Sequence, residues 1–364
     1  MAQRDSQMGA GLEISYSMSP LAARLPQTRR RFRSAGSAGQ MRPNVFCVAG
    51  RHQLRKGVTM QKPFEHSDYV ELSMHFRCNL KCKHCMILDS MHWLNPADDA
   101  EFSATLEKQK RTGQWKGIIL TGAEVTLRKE LPDWAKQARR AGFEHVRIQT
   151  HAMRLADPAY CETLVAAGID EYFISVTAAT AELHDQITEV PGSFEKTITA
   201  LRNLDKFSQV KLMTNTVITR LSYQSAPDVV ELLKDLQRLV QMDFWGYWPM
   251  EEDGHSDLLV PHTDVRPYLK TAIQKAREYR RHVEIKNFPA CLLGEDARYM
   301  SNDQPELRTD PNFWTEFNRN GFHQCAYRDV CGSKQCLGLN SAYIKLYGWM
   351  EDVLSPLPRQ ELRP

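Results

Sequence analysis

Cys78-Asn79-Leu80-Lys81-Cys82-Lys83-His84-Cys85 places three thiols within eight residues, directly after the apolar run Tyr69–His75. Thiolates this close in sequence cannot splay apart, so they suit one compact soft-metal centre. Zinc and cubane iron–sulfur centres both ordinarily take four ligands, so a cluster held by three thiolates keeps one iron with an open coordination position. An open iron is a place for chemistry. The same residues also admit a zinc site completed by His75 or His84, or three reduced core cysteines. The residues downstream of the triplet decide between these readings.

From residue 69 onward, strand-like apolar runs at 69–75, 117–121, 146–150, 172–176, 211–219 and 244–249 alternate with helix-length amphipathic stretches at 131–141, 159–167, 194–204 and 227–240. Gly142 and Gly168 stand where helix C-terminal stops are expected, and Ser193 reads as an N-cap. Such strand–helix units imply an α/β fold of parallel strands joined by right-handed crossovers, in layers or closing toward a barrel. Sites in these folds lie at the C-terminal ends of the strands, and the thiol triplet comes just after one such end.

The second strand run ends in Thr121-Gly122-Ala123-Glu124-Val125-Thr126-Leu127, a small-residue turn presenting one carboxylate. Small residues let backbone approach a ligand closely, and Glu124 can accept from an ammonium group. The CxxxCxxC spacing followed by this turn resembles the radical S-adenosylmethionine (radical SAM) superfamily, whose GGEP motif grips the cofactor's amino group. Ala123 replaces the second Gly and Val125 the Pro. The resemblance implies a [4Fe–4S] cluster on Cys78, Cys82 and Cys85, with S-adenosylmethionine chelating its open iron. It also implies reductive cleavage to a 5′-deoxyadenosyl radical and hydrogen-atom abstraction from an organic substrate. Covering about residues 68–290, it further implies a partial (β/α)6 barrel in which Gly122, Ala123, Glu124, Thr150, Ser175 and Asn215 contact the cofactor. Gln149-Thr150-His151-Ala152 stands where relatives commonly show Thr-Asn-Gly.

Cys291, Cys325, Cys331 and Cys336 form a later set of four, which by spacing alone suits a structural zinc or a fully ligated [4Fe–4S] cluster. Their layout after the barrel resembles the shortened auxiliary-cluster extension called twitch, and the ending 338–348 resembles the longer SPASM type, whose full set is seven cysteines. The run 283–288 reads as a strand delivering Cys291, and 294–311 as a long polar loop. Cys47 and Cys161 are left over, Cys161 as a small core residue or, less simply, a hydrogen-atom-donor thiol. The expected organisation is a leader over 1–66, the core barrel over 67–290 and the cysteine-rich extension over 291–364.

The net charge of +3 hides an asymmetry, since residues 1–60 carry net +8 and the remainder −5. That leader, rich in Ala, Ser, Gly and Arg, reads as a disordered tail, a basic arm, a transit peptide, or sequence upstream of a true start at Met60. The body gives no reason to expect a nucleic-acid groove. No run of eighteen apolar residues suggests a membrane helix, and nine cysteines at metal-ligand spacings favour a reducing compartment, read as the cytoplasm. Trp245, Trp248, Glu251, Glu252, Asp253 and His255 follow the sixth strand, where aromatic rings, carboxylates and an imidazole suit a polar substrate, with Glu251 and His255 as candidate catalytic groups. The expected substrate is a small metabolite or cofactor precursor, with a ribosomal peptide as the alternative and a reductant such as flavodoxin or ferredoxin as partner. Outside enzymes, the alternative is a zinc-stabilised binding protein.

Overall fold

In the computed structural model, which describes residues 62–250 and 256–359, strand and helix alternate through most of the chain. β1 (Tyr69–His75) leads through α1 (Asp99–Thr112) to β2 (Gly117–Gly122), α2 (Leu131–Arg140) to β3 (His145–Thr150), and α3 (Pro158–Ala166) to β4 (Glu171–Ser175). α4 (Ala181–Thr188) and α5 (Ser193–Leu204) precede β5 (Lys211–Ile218), α6 (Ala226–Leu232) precedes β6 (Leu239–Gly246), and α7 (His262–Glu278) precedes β7 (His282–Lys286). Then come α8 (Ala290–Leu293), β8 (Glu306–Arg308), α9 (Pro311–Arg319) and α10 (Ser341–Tyr347).

The eight strands form one parallel sheet in the order β7-β6-β5-β4-β3-β2-β1-β8, open at both edges. Because the first seven strands neighbour one another in chain order, right-handed crossovers put their helices on a single face, as in a barrel that stops short of closing. Alternation along each strand sorts the residues. Val70, Leu72 and Met74, Ile118 and Leu120, Val146 and Ile148, and Tyr172 and Ile174 join the helix-packed apolar core. Glu71, Arg147, Glu171, Asp243 and Glu284 occupy the other parity, facing the interior of the curl.

Local signals explain the element ends. Asp98 caps α1, accepting from the Glu101 amide at 2.8 Å, while Asp157 and Asp310 cap α3 and α9 ahead of a first-turn proline. Gly142 and Gly168 follow α2 and α3 with φ of 96° and 100°. Gly122 has φ of 135°, and a Cβ there would lie 2.0 Å from the His75 carbonyl oxygen. Only glycine lets the ends of β1 and β2 approach this closely.

Three expectations are corrected. The helix read over 227–240 ends at Leu232, because Leu239 onward pairs with β5 as β6. The cap of α5 is Gly192, with Ser193 already helical and its hydroxyl donating to Asp185 at 2.8 Å. The loop read over 294–311 contains a 3₁₀ turn, Gly294–Tyr299, and β8, which pairs with β1 through Val70↔Glu306. Ahead of β1, Phe64 and His66 reach across the interior. The Phe64 ring centroid lies 3.7 Å from the Arg147 guanidinium on β3, and the His66 imidazole lies 2.9 Å from Glu284 on β7. Most of the leader, with Cys47, lies outside the described residues.

Candidate functional site

The loop carrying Cys78, Cys82 and Cys85 leaves the C-terminal end of β1 and is held from outside by α4. The amides of Lys81 and Lys83 donate to the last-turn carbonyls of Thr188 and Ile187 at 3.0 and 2.9 Å. Cys85 closes its own turn on the Cys82 carbonyl at 2.9 Å, and the Leu80 amide donates to the Cys78 sulfur at 3.3 Å. All three thiols are half-buried and free. Burial pushes the Cys78 thiol up to about 11 and raises Cys82 further, with the charges of Cys85 and Cys78 adding at Cys82. Such thiols are protonated at neutral pH unless a cationic centre holds them as thiolates.

Among the described residues, no group of three or more His, Cys, Asp or Glu side chains converges tightly enough to hold a single metal ion. The donor chemistry nevertheless fits a thiolate-held iron–sulfur group: three soft, half-buried donors on one loop, one of whose sulfurs accepts an amide hydrogen bond. His84, which a zinc reading would recruit, has its Nδ1 buried without a partner.

Across from this loop, the Glu124 carboxylate is fully buried. Its Oε1 accepts from the Thr126 amide at 3.0 Å, the Thr126 hydroxyl at 2.5 Å and the Thr150 hydroxyl at 2.6 Å. Its Oε2 accepts from the His151 amide at 2.9 Å, and the His151 Nε2 lies 3.1 Å away. The same Nε2 is 2.8 Å from Asn79 Oδ1, inside the thiol loop. Thr150 and Glu124 are therefore joined directly. His151, which sequence reasoning passed over, ties both to the triad. Its neighbour Ala152 takes φ of 64°, a left-handed conformation that favours glycine.

Ser175, Asn215, Asp243 and Glu284 stand side by side across β4 to β7. Asn215 Oδ1 and Thr177 Oγ1 are buried without a hydrogen-bond partner, while Glu284 Oε1, within β7, faces the Lys62 ammonium at 3.5 Å. Unpartnered polar oxygens beside the end of β4 fit a ligand that brings donors. Burial pushes the Asp243 carboxyl up to about 7, the Glu284 charge adding, and burial likewise takes Glu71 to about 7. Lys286 is buried beside them, its ammonium donating to the Asp303 carbonyl at 3.2 Å and lying 5.5 Å from the Trp245 ring. Trp245 donates to Asp243 at 3.1 Å. Trp248 stacks on Phe322 at 5.1 Å with its indole nitrogen unpartnered. Glu251, Glu252, Asp253 and His255 lie outside the described residues. Polar residues at interior parity within the strands were the available signal for this row.

The later thiols sit on α8 (Cys291) and in the segment between α9 and α10. Their sulfurs accept backbone amides: Tyr327 on Cys325 and Leu357 on Cys331 at 3.4 Å, and Ala290 and Gly338 on Cys336 at 3.5 and 3.4 Å. Burial raises the Cys291 thiol, with the charges of Cys336 and Cys325 adding. Burial also raises Cys336, where Cys325 and Cys331 add. Cys336 thus lies within electrostatic reach of the other three, and Cys291 within reach of Cys325 as well. Cys161 lies fully buried in the helix-packed core and donates to the Leu155 carbonyl at 2.9 Å.

Residues 72–236 match the family described as the Radical SAM superfamily. A probable GTP 3′,8-cyclase of Methanopyrus kandleri is 28% identical over 170 residues, covering 47% of this chain and 54% of that protein. The Fe-coproporphyrin III synthase of Methanosarcina barkeri is 25% identical over 228 residues, covering 62% and 55%. Streptococcus suis SuiB bound to its precursor peptide SuiA shares the fold with a TM-score of 0.50 at 14% identity, covering 62% of this chain and 49% of SuiB. The chain thus spans about half the length of each of these proteins. Among the described residues, no helix is long and apolar enough to cross a membrane.

Proposed function

We propose, from the premise that this chain belongs to the radical SAM superfamily through residues 72–236, that its enzymatic activity is radical modification of a small polar metabolite or cofactor precursor. The zinc-stabilised binding protein gives way to this enzyme family. The single observation that carries the finer reading is the tie from Asn79 through His151 to Glu124, which joins the thiol loop to the carboxylate turn.

In this reading Cys78, Cys82 and Cys85 hold a [4Fe–4S] cluster, and Gly122, Ala123, Glu124, Thr150, Ser175 and Asn215 receive S-adenosylmethionine. When bound, the pair supplies a 5′-deoxyadenosyl radical by reductive cleavage, with an electron from a donor such as flavodoxin or ferredoxin. The chain's own work is to bind, orient and enclose. Glu124 presents a carboxylate to an ammonium, Asn215 offers an unpartnered amide oxygen, and the curl of the sheet excludes water. Asp243, Glu284 and Lys286 give the interior both acceptors and a donor, which suits a polar substrate better than an apolar one. The relatives named for a GTP cyclase and a porphyrin synthase point toward small molecules. Cys291, Cys325, Cys331 and Cys336 hold a second, fully ligated cluster, which leaves no open iron there. A reducing compartment such as the cytoplasm suits both centres.

The test is anaerobic reconstitution followed by dithionite and S-adenosylmethionine, with products read by mass spectrometry. 5′-Deoxyadenosine and methionine are expected from the wild type and neither from Cys82→Ala. Cleavage undiminished in that variant means the cluster is not where we place it.

A further inference from the structure

Glu124 has more donors than it has room for. A carboxylate offers about four lone-pair sites, and five protein groups already lie within hydrogen-bond or ion-pair distance: the Thr126 amide and hydroxyl, the Thr150 hydroxyl, and the His151 amide and ring. An ammonium reaching this carboxylate must displace one of them. Four of the five have no second acceptor among their hydrogen bonds. The His151 ring does. Its Nδ1 accepts from the Met153 amide at 3.1 Å, so its proton sits on Nε2, which donates to Asn79 Oδ1 at 2.8 Å and lies against Glu124 Oε2 at 3.1 Å. Giving up the longer contact costs it little, because the shorter one remains.

We propose that His151 is a positioning residue that holds Glu124 Oε2 while the site is open and yields it to the ammonium of S-adenosylmethionine, keeping its bond to Asn79 throughout. The exchange makes Asn79, in the thiol loop, sense whether Glu124 is occupied. The ring is well placed for this, being buried and fixed at Nδ1, so that only its Nε2 proton changes partner. The neighbouring backbone supports the arrangement, since Ala152 holds its left-handed conformation with its amide on the Thr150 hydroxyl at 2.8 Å. This inference rests on the radical SAM reading of the site and adds to it a residue that CxxxCxxC and the Gly-Ala-Glu turn do not contain.

The experiment compares wild type, His151→Leu, His151→Gln, Asn79→Ala and the double variant His151→Leu/Asn79→Ala, each reconstituted anaerobically. Iron per chain, the dissociation constant for S-adenosylmethionine by equilibrium dialysis, and the change it causes in the electron paramagnetic resonance spectrum of the reduced cluster are measured. His151→Leu should keep the iron of the first cluster and bind S-adenosylmethionine up to about tenfold more tightly, because the ammonium no longer has a ring to displace from Glu124 Oε2. His151→Gln, whose amide nitrogen can stand for Nε2, should return the affinity most of the way to the wild-type value. Asn79→Ala, which leaves the ring with Glu124 as its one acceptor, should bind more weakly than the wild type, and the double variant should bind as His151→Leu does, because Asn79 acts through the ring. Unchanged or weakened affinity in His151→Leu, an affinity in His151→Gln equal to that of His151→Leu, or a double variant weaker than His151→Leu would overturn the proposal. If His151→Leu loses iron, Asn79→Ala decides instead, and wild-type affinity in Asn79→Ala counts against it. A wild type that holds no oxygen-sensitive iron and binds no S-adenosylmethionine is a different failure, that of the underlying reading.

Discussion

Arg147 on β3 donates from Nε and Nη2 to one oxygen of Glu171 on β4, at 3.0 and 2.7 Å, with both side chains sealed inside the curl of the sheet. Tyr69 adds a hydroxyl at 3.0 Å. Burial alone would raise the Glu171 carboxyl, but the Arg147 charge overrides it and holds the group below the usual carboxylate range. Removing one partner of a buried pair leaves an uncompensated charge, at about 3–5 kcal/mol. Arg147→Met should lower the unfolding free energy by about that amount, and Arg147→Met/Glu171→Leu should recover most of it. Anaerobic urea denaturation measures both; a single variant as stable as the wild type would sink the idea.

Cys291 decides whether the later thiols make a complete cage. With its sulfur in electrostatic reach of Cys336 and Cys325, Cys291→Ala should leave a cluster that loses iron or takes an exogenous ligand. Mössbauer and electron paramagnetic resonance spectra of the variant are the check. An auxiliary signal identical to the wild type removes Cys291 from the ligand set and leaves an open iron available to substrate.

Two start points separate the leader from the fold. A protein beginning at Met60 should fold and load iron as the full chain does. One beginning at Tyr69 loses the Phe64 contact with Arg147 and the His66 contact with Glu284, and should melt several degrees lower. Equal melting of the two proteins by anaerobic calorimetry would show that residues 62–68 add nothing to stability.

His184 makes stability fall with acid. Burial lowers its imidazole from 6.5 to about 4, only partly offset by Asp185. Above pH 6.5 the ring is neutral in both states. Between 6.5 and about 4 the unfolded chain takes a proton that the folded one refuses, so stability is lost as pH falls, by on the order of 3 kcal/mol for this group. His184→Gln, which cannot titrate, should flatten the slope of unfolding free energy between about pH 7 and 5. A slope unchanged by that substitution would assign the acid sensitivity elsewhere.

Much of this fold was legible because its signals are local. Five strand runs alternate with amphipathic helices as read, the sixth, read over 244–249, lies instead at Leu239–Gly246 with Trp245 inside it, and Gly142 and Gly168 stop α2 and α3 where the sequence places the stops. The reading of the Cys78 triplet drew on its spacing together with the Thr-Gly-Ala-Glu turn downstream. What stayed hidden depends on partners distant in sequence. Glu306–Arg308 has no strand signature of its own and becomes β8 by pairing with β1. Leu233 and Leu236 prolong the apolar period of α6 past its end, and pairing of β6 with β5 overrides it. Arg147, Glu171, Asp243 and Lys286 read singly as solvent-facing charges, because no window of sequence shows that the sheet curls around them. His151 was hidden for the same reason: its partners Asn79 and Glu124 come from two other strand ends.

The pairing of Glu306–Arg308 with Val70–Leu72 has a consequence for how the protein is made. β1 leaves the ribosome well before β8, so its outer edge stays unpaired until residues 306–308 have been synthesised. An exposed parallel edge on a nascent chain invites pairing with the wrong neighbour. The strand that leads into the first cysteine loop is therefore secured only after Cys291 has emerged. A ribosome that stalls before residue 306 would release a chain whose first three thiols are present but whose supporting strand is open on one side.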